Sequence, residues 1–370
     1  MKSEIGSEFW LSPYDTYDNG QIGNPEQFNC NGNDYVWLST GRSAIKFVLR
    51  TIEKRNPGIK KIAVLPSFTC NTVIQPFVDE GYRIEYYPID HNLRTSCDAI
   101  FQKVREVDAT VVLFHRYFGF DTLDNYVDEL CGVLRDLGKF TIEDCTQCLY
   151  SDISRADADF FVGSLRKWMG MPDGAFAVCR NDFFDEKPTA SDEVLEKAKM
   201  RAYHSKYLYL FENIGIKEEM LSMCREAELI LDNQTEMLGI SPISAEIQAK
   251  LDRRLLAEKR KDNFLFLEKS LKGDLQPLFF LSSCNVPLYF PVMVEERELF
   301  QRYLIQNAVY APVVWPKNLF QQQICDGAKC LYEHMLCIPI DQRYDAEDME
   351  RIVDVCDKFI IDEKNSSTWS

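Results

Sequence analysis

The sequence is short of positive charge. Its 42 lysines and arginines stand against 58 aspartates and glutamates, a formal net charge of −16. Non-specific nucleic-acid and anionic-membrane binding need a basic footprint, so both are excluded as primary functions. No apolar run is long enough to cross a bilayer, and the opening MKSEIGSEFW has no apolar stretch of signal-peptide type. A cytoplasmic address is the expectation. Repeats and low-complexity segments are also lacking, apart from a polar tail at 365–370 that reads as disordered. The 13 cysteines lack an export signal to go with them, so reduced and mostly buried thiols are expected. Cys145 and Cys148 have half-site spacing, with Cys325 and Cys330 as a looser pair. No second pair of ligands stands at regular spacing, and no metal is expected.

What is present is enough apolar material for a large core, 46 % of 370 residues with 27 % charged. Between about 36 and 180 short apolar runs alternate with amphipathic stretches. Residues 61–65, 110–114, 140–142, 159–162 and 174–178 read as buried strands, and 83–87 as a more alternating one. Helical periods cover 43–51, 72–80 and 123–137. Such alternation implies a mainly parallel sheet covered on both faces. Residues 181–275 turn helical, ending in a long helix expected from Glu246 to Leu271. From about 286 the pattern becomes α+β, with strands at 286–291 and 309–313, a helix at 296–306 and a closing helix at 346–361. The expected organisation is an N-terminal segment (1–35), a large domain with its helical connector (36–245), a smaller C-terminal domain (246–364) and the tail.

Three clusters fall at the ends of expected strands, where open α/β sheets place ligands. Ser39-Thr-Gly-Arg-Ser-Ala44 opens a helix whose amides suit a phosphate, although an ordinary N-cap has the same appearance. Glu143-Asp-Cys-Thr-Gln147 puts a carboxylate at a crevice. Asp144 there would hold a pyridine nitrogen protonated, or simply cap a helix. Ser164-Leu-Arg-Lys167 follows a buried strand, and its lysine is expected to sit among apolar neighbours, where a neutral amine suits imine chemistry. A lone lysine near a strand end is more often a solvated one, so the order of the clusters carries the argument.

Taken in order, these motifs resemble the sugar-aminotransferase-like (DegT) family of fold-type-I enzymes that use pyridoxal 5'-phosphate. The likeness runs from 36 to 350 and includes Leu65-Pro-Ser-Phe-Thr-Cys70, Phe114-His-Arg-Tyr-Phe-Gly119, Pro172-Asp-Gly174, Tyr310-Ala-Pro-Val-Val-Trp-Pro316 and Leu336-Cys-Ile-Pro-Ile-Asp-Gln-Arg-Tyr344. It implies a three-layer α/β large domain with a mainly parallel sheet and a smaller α+β domain. It also implies a homodimer. Lys167 would carry the cofactor as a Schiff base, Asp144 would pair with the ring nitrogen and Gln147 with the ring hydroxyl. Gly41, Arg42, Ser43 and Ser164 would hold the phosphate. Cys70 stands where the family often has an aromatic stacked on the ring. The family's Asn/Arg-rich loop, which reaches a partner subunit's phosphate, is replaced by Gly239-Ile-Ser-Pro-Ile-Ser-Ala245. His115, Trp315 and Arg343 are candidate substrate contacts, each with a plain structural alternative. The implied reaction moves an amino group from a small-molecule donor such as glutamate to a keto or aldehyde acceptor, possibly a sugar nucleotide. Lyase or dehydratase chemistry on the same fold, and a non-catalytic family member, are the rival readings.

Overall fold

The structure is a computed structural model that describes residues 4–17, 22–317 and 324–367. Two short strands lie outside the main sheet's sequence order: β1 (Ile5–Gly6) precedes it, and β2 (Asp34–Leu38) forms one of its edges. The repeating units then follow: α1 (Gly41–Arg55), β3 (Ile62–Pro66), α2 (Asn71–Asp79), β4 (Arg83–Tyr87), α3 (Cys97–Val107), β5 (Val111–His115), α4 (Val127–Asp136), β6 (Phe140–Asp144), β7 (Phe160–Ser164) and β8 (Ala175–Cys179). The seven strands order as β2-β8-β7-β6-β5-β3-β4. β3 to β7 are mutually parallel where they pair, while β8 runs antiparallel to both β7 and β2.

Strand periodicity explains the layers. Ala63, Leu65, Val111 and Leu113 point to one face, where they pack with Ile45, Val48 and Ile74 of α1 and α2. Their neighbours Val64, Val112 and Phe114 point to the other face and join Ile100, Val104, Leu130 and Leu134 of α3 and α4. β3, β5, β7 and β8 are buried along their whole length, as strands covered on both faces must be. The edge strand β4 keeps the alternating, partly exposed pattern that its sequence predicts. This is the expected three-layer α/β arrangement.

A helical hairpin follows, α5 (Glu193–Tyr207) and α6 (Lys217–Asp232), joined by a π-turn at Leu208–Glu212. The single helix expected from Glu246 is in fact two, α7 (Pro242–Lys250) and α8 (Arg253–Ser270). Asp252 breaks it: its carboxylate accepts from Leu255 N at 3.0 Å, capping the second helix. The C-terminal part comprises β9 (Phe290–Met293), α9 (Arg297–Gln306), β10 (Val309–Tyr310), α10 (Asp326–His334), β11 (Met335–Ile338) and α11 (Ala346–Ser367). β9 and β11 pair antiparallel, and β10 pairs with β1 in parallel. The strand expected over 286–291 begins only at Phe290, because Val286 and Leu288 instead contact the loop after β5. α11 takes in 365–367, the first residues of the expected tail, and 368–370 lie outside the described residues.

Gly119 brings the loop after β5 against the segment that leads into β9. Its φ is +93°, and a Cβ there would lie 2.0 Å from the Val286 carbonyl oxygen. Ser151 Oγ donates to the Gly119 oxygen at 2.7 Å, and Leu288 N donates to Phe118 O at 2.9 Å. Only glycine permits both the conformation and the approach. No helix among the described residues is long and apolar enough to cross a membrane.

Candidate active site

Three parallel strands end their carboxyl termini on one crevice, and each end carries a site residue. β5 ends at His115, β6 at Asp144 and β7 at Ser164, with Lys167 closing a 3-10 turn directly after it. His115 and Asp144 are register partners. A cavity of about 390 Å³ opens there, walled by Gly41, Arg42, Cys70, His115, Asp144 and Gln147, and further by Ser164, Lys167 and Trp315. A second cavity of about 400 Å³ adjoins it and shares Ser7, Glu8, Phe9 and Lys167.

Asp144 is buried at 6 % exposure. Its Oδ1 accepts from Thr146 N at 2.9 Å. Burial pushes the carboxyl above its usual range, against the opposing pull of its bonds to Thr146 and of the Lys167 charge. A buried carboxylate that faces a cavity in this state favours a cationic N–H as its partner. Gln147 is fixed by Phe118 N, which donates to its Oε1 at 2.9 Å. That bond leaves the Gln147 amide nitrogen as the donor on the cavity side.

At the start of α1, Thr40 Oγ1 accepts from Ser43 N at 3.0 Å and lies 2.8 Å from Ser43 Oγ. The Gly41 and Arg42 amides precede the first intrahelical bond, Ala44 N to Thr40 O. A Cβ on Gly41 would touch Ser164 Cβ at 3.4 Å, so helix start and strand end form one cradle. Ser43 does not line the cavity: its amide and hydroxyl serve the cap. Lys167 is exposed, opening on both cavities, rather than shut among apolar neighbours as the sequence reading expected. Its apolar neighbour Trp168 turns inward instead, donating Nε1 to Thr146 O at 2.7 Å.

His115 is 3 % exposed, and burial lowers its imidazole to about 4, so the ring is neutral near pH 7. Its Nε2 is shut from solvent and has no hydrogen-bond partner. The ring stacks parallel to Trp315, with centroids 5.3 Å apart. Cys70 lies on the wall at the start of α2, its Sγ 3.0 Å from Thr72 Oγ1. Arg343 lines only the adjoining cavity, which Lys167 also borders, and is held by both Asp341 oxygens at 2.6 and 2.9 Å. It also donates to Glu8 O at 2.9 Å and stacks on Phe9 and Trp10 at 4.2 and 4.5 Å. These contacts hold the N-terminal segment beside Lys167.

Sequence reading missed Arg166, Tyr203, Glu228 and Asp232, all on the cavity wall. Arg166 was findable from its place beside Lys167. The other three lie on α5 and α6, which nothing in their helical periodicity ties to the sheet. Cys145 and Cys148 are fully buried behind the site. Cys30 Sγ lies 3.5 Å from Cys145 Sγ, and Arg155 donates to Cys148 Sγ at 2.8 Å. Among the described residues no cluster of three or more His, Cys, Asp or Glu side chains forms a metal site.

The chain resembles solved structures along nearly its whole length. The aminotransferase PseC of Helicobacter pylori, involved in the biosynthesis of pseudoaminic acid, superposes with a TM-score of 0.68 at 13 % identity, over 96 % of this chain and 99 % of that one. The PLP-form of the putative sugar aminotransferase Spr1654 of Streptococcus pneumoniae gives 0.64 at 14 % identity, over 92 % and 93 %. The aminotransferase TlmJ of Streptoalloteichus hindustanus gives 0.63 at 17 %, over 91 % and 90 %. No family model and no curated relative matches the chain. The chain therefore has the fold of these aminotransferases.

Proposed function

We propose that this protein is a pyridoxal-phosphate-dependent aminotransferase of the DegT-like type, acting with a small-molecule amino donor and a keto or aldehyde acceptor. One observation carries the reading: Lys167, Asp144, Gln147 and the Gly41–Ser164 cradle meet on a single cavity at the carboxyl ends of the parallel strands. Fold likeness alone leaves the function open. These side chains fit the cofactor chemically, since a buried carboxylate, a fixed amide donor and a phosphate-sized helix start match its ring nitrogen, hydroxyl and phosphate.

When bound, the cofactor supplies an electron sink that stabilises negative charge on the substrate carbon. The protein residues do the rest. Lys167 Nζ would hold the cofactor covalently and, as a free amine, would carry a proton to and from the substrate carbon. Its exposure to both cavities lets a donor reach it. Asp144 keeps the proton on the ring nitrogen. Gln147, locked by Phe118 N, orients the ring through its hydroxyl. The Gly41 and Arg42 amides and Ser164 anchor the phosphate at the positive end of α1. His115 and Trp315 close one wall and exclude water from it.

A homodimer in a reducing, cytoplasmic setting belongs to the same proposal. Exposed Ile214 and Ile216 just before the cavity-lining helix α6, and Leu229 on it, support the first. Thirteen free thiols support the second. A sugar acceptor is supported by the structural neighbours, among them the sugar aminotransferase CalS13 and PseC of pseudoaminic acid biosynthesis. The experiment that tests the function is an absorbance titration with PLP followed by L-glutamate. A visible band that forms and then bleaches supports an aminotransferase. A band that glutamate and other amino donors leave intact, with product formed by bond cleavage instead, would replace the reading with lyase chemistry.

A further inference from the structure

Helix α6 turns two acidic side chains, Glu228 and Asp232, to the cavity wall one helical turn apart. Asp232 Oδ1 pairs with Arg42 at 3.0 Å. Glu228 Oε1 is shared: it accepts from Arg166 Nη2 at 3.2 Å and also from Lys199 Nζ. Lys199 is only 2 % exposed. Two sheltered cations thus converge on a single oxygen of one carboxylate.

Arg166 is left incomplete by this arrangement. Its Nε is shut from solvent and has no hydrogen-bond partner. A buried charged donor that has lost its water without a replacement is costly, and natural structures rarely leave one so without a reason. Neither acceptor nearby bonds to Arg166 Nε. Tyr203 OH donates to Met171 O at 3.0 Å, and the Asp173 carboxylate accepts from Ser241 N and Oγ at 2.8 to 3.1 Å. The guanidinium lines the same cavity as Lys167, its neighbour in sequence.

The geometry points to a second anion site in this cavity, in which the Arg166 guanidinium, turned off Glu228 and with Lys199 behind it, donates to an oxygen of a phosphate or carboxylate on a bound ligand. Glu228 holds the two cations in position while that oxygen is absent. The choice of ligand rests on the proposed function, under which two sources carry the same chemistry: the phosphate of the cofactor and the carboxylate of an amino-acid donor. A phosphate contact here would supply within one chain a cation that the replaced loop at 239–245 lacks. A carboxylate contact would make Arg166 the residue that selects amino acids over plain amines.

The test compares wild type with Arg166→Gln, using the full chain. PLP and pyridoxal, which has no phosphate, are titrated and read by the visible band. L-glutamate and an aliphatic amine without a carboxylate are then compared for bleaching. A charged hydrogen bond of this kind corresponds to roughly a tenfold change in affinity or more. Weaker PLP binding by that factor, with pyridoxal unchanged, assigns the phosphate. Unchanged PLP binding, with about tenfold more glutamate needed and the plain amine unaffected, assigns the carboxylate. No change in either arm overturns the site. If wild type forms no band, the proposed function fails, and inorganic phosphate decides the site alone. A rise in melting temperature with phosphate in wild type but not in Arg166→Gln retains the site, and an equal response in both overturns it. Glu228→Gln guards against a folding defect in the first variant. It keeps Arg166 and removes the competing carboxylate, so oxyanion binding strengthens several-fold, and unchanged or weaker binding counts against the site.

Discussion

His115 and Trp315 lie ring on ring, 5.3 Å between centroids and 3° from parallel, so the end of β5 is joined to the loop after β10 at the cavity wall. Trp315 also meets Phe68 at 5.0 Å and Tyr117 at 5.9 Å. This aromatic group ties the C-terminal part to the sheet directly beside the site. Replacing Trp315 with Ala removes a side chain that is 6 % exposed. The expected loss is about 3–5 kcal/mol of stability, with weaker PLP binding as the wall loosens. A denaturant melt read beside a PLP titration checks both effects.

The same histidine gives stability a pH dependence of definite sign. Its folded value, about 4, lies below the ordinary value near 6.5. The unfolded chain therefore takes up the proton first as pH falls. The contribution of the neutral ring is complete above about 6.5, shrinks between 6.5 and 4, and falls no further below that. The slope from this one group approaches about 1.4 kcal/mol per pH unit within the window. His115→Asn removes it, and the difference between the two stability profiles isolates it from the carboxylates that titrate lower.

Lys167→Ala is expected to abolish the visible band that wild type forms with PLP. Its fold should persist, because the side chain is exposed and supports no packing. Equal melting temperatures with loss of the band are the expected result. A band of wild-type strength in the variant rules out Lys167 as the attachment point.

Asp144→Asn keeps the size and the bond to Thr146 but cannot hold the ring nitrogen charged. Binding of PLP should change little, while bleaching by L-glutamate slows by about a hundredfold or more. Stopped-flow absorbance separates the two. The variant should also be no less stable than wild type, since it removes a buried carboxylate whose charged form is disfavoured.

Gly119→Ala is expected to be severe for a structural reason. The added methyl would meet the Val286 carbonyl at 2.0 Å in a backbone with φ +93°. A loss of roughly 3 kcal/mol or more follows, read as a lower denaturant midpoint.

The large-domain fold was legible because its strands carry their own evidence. Ile62–Pro66 and Val111–Phe114 are unbroken apolar runs, which a sheet covered on both faces accounts for. That Asp144, Ser164 and Lys167 share one crevice was legible because each stands at or just after the end of a strand. Legibility failed where position depends on contacts distant in sequence. The helical pattern ran through Leu251 because a capping aspartate looks like any other charge inside an amphipathic repeat. Arg343 reads from the sequence as a candidate substrate contact, and its Asp341 partner and the N-terminal segment laid across it are visible only in the structure.

The sequence by itself determined the alternation of strands and helices, the three-layer class and the chemical types at the strand ends, because these follow from local periodicity and from the order of short motifs. The tertiary structure alone decided which acids face the cavity. Glu228 and Asp232 reach it from a helix more than sixty residues beyond Arg166 in the chain. Their meeting depends on how a helical hairpin packs against the sheet, and the pattern of one helix records which of its faces is apolar but not what lies opposite.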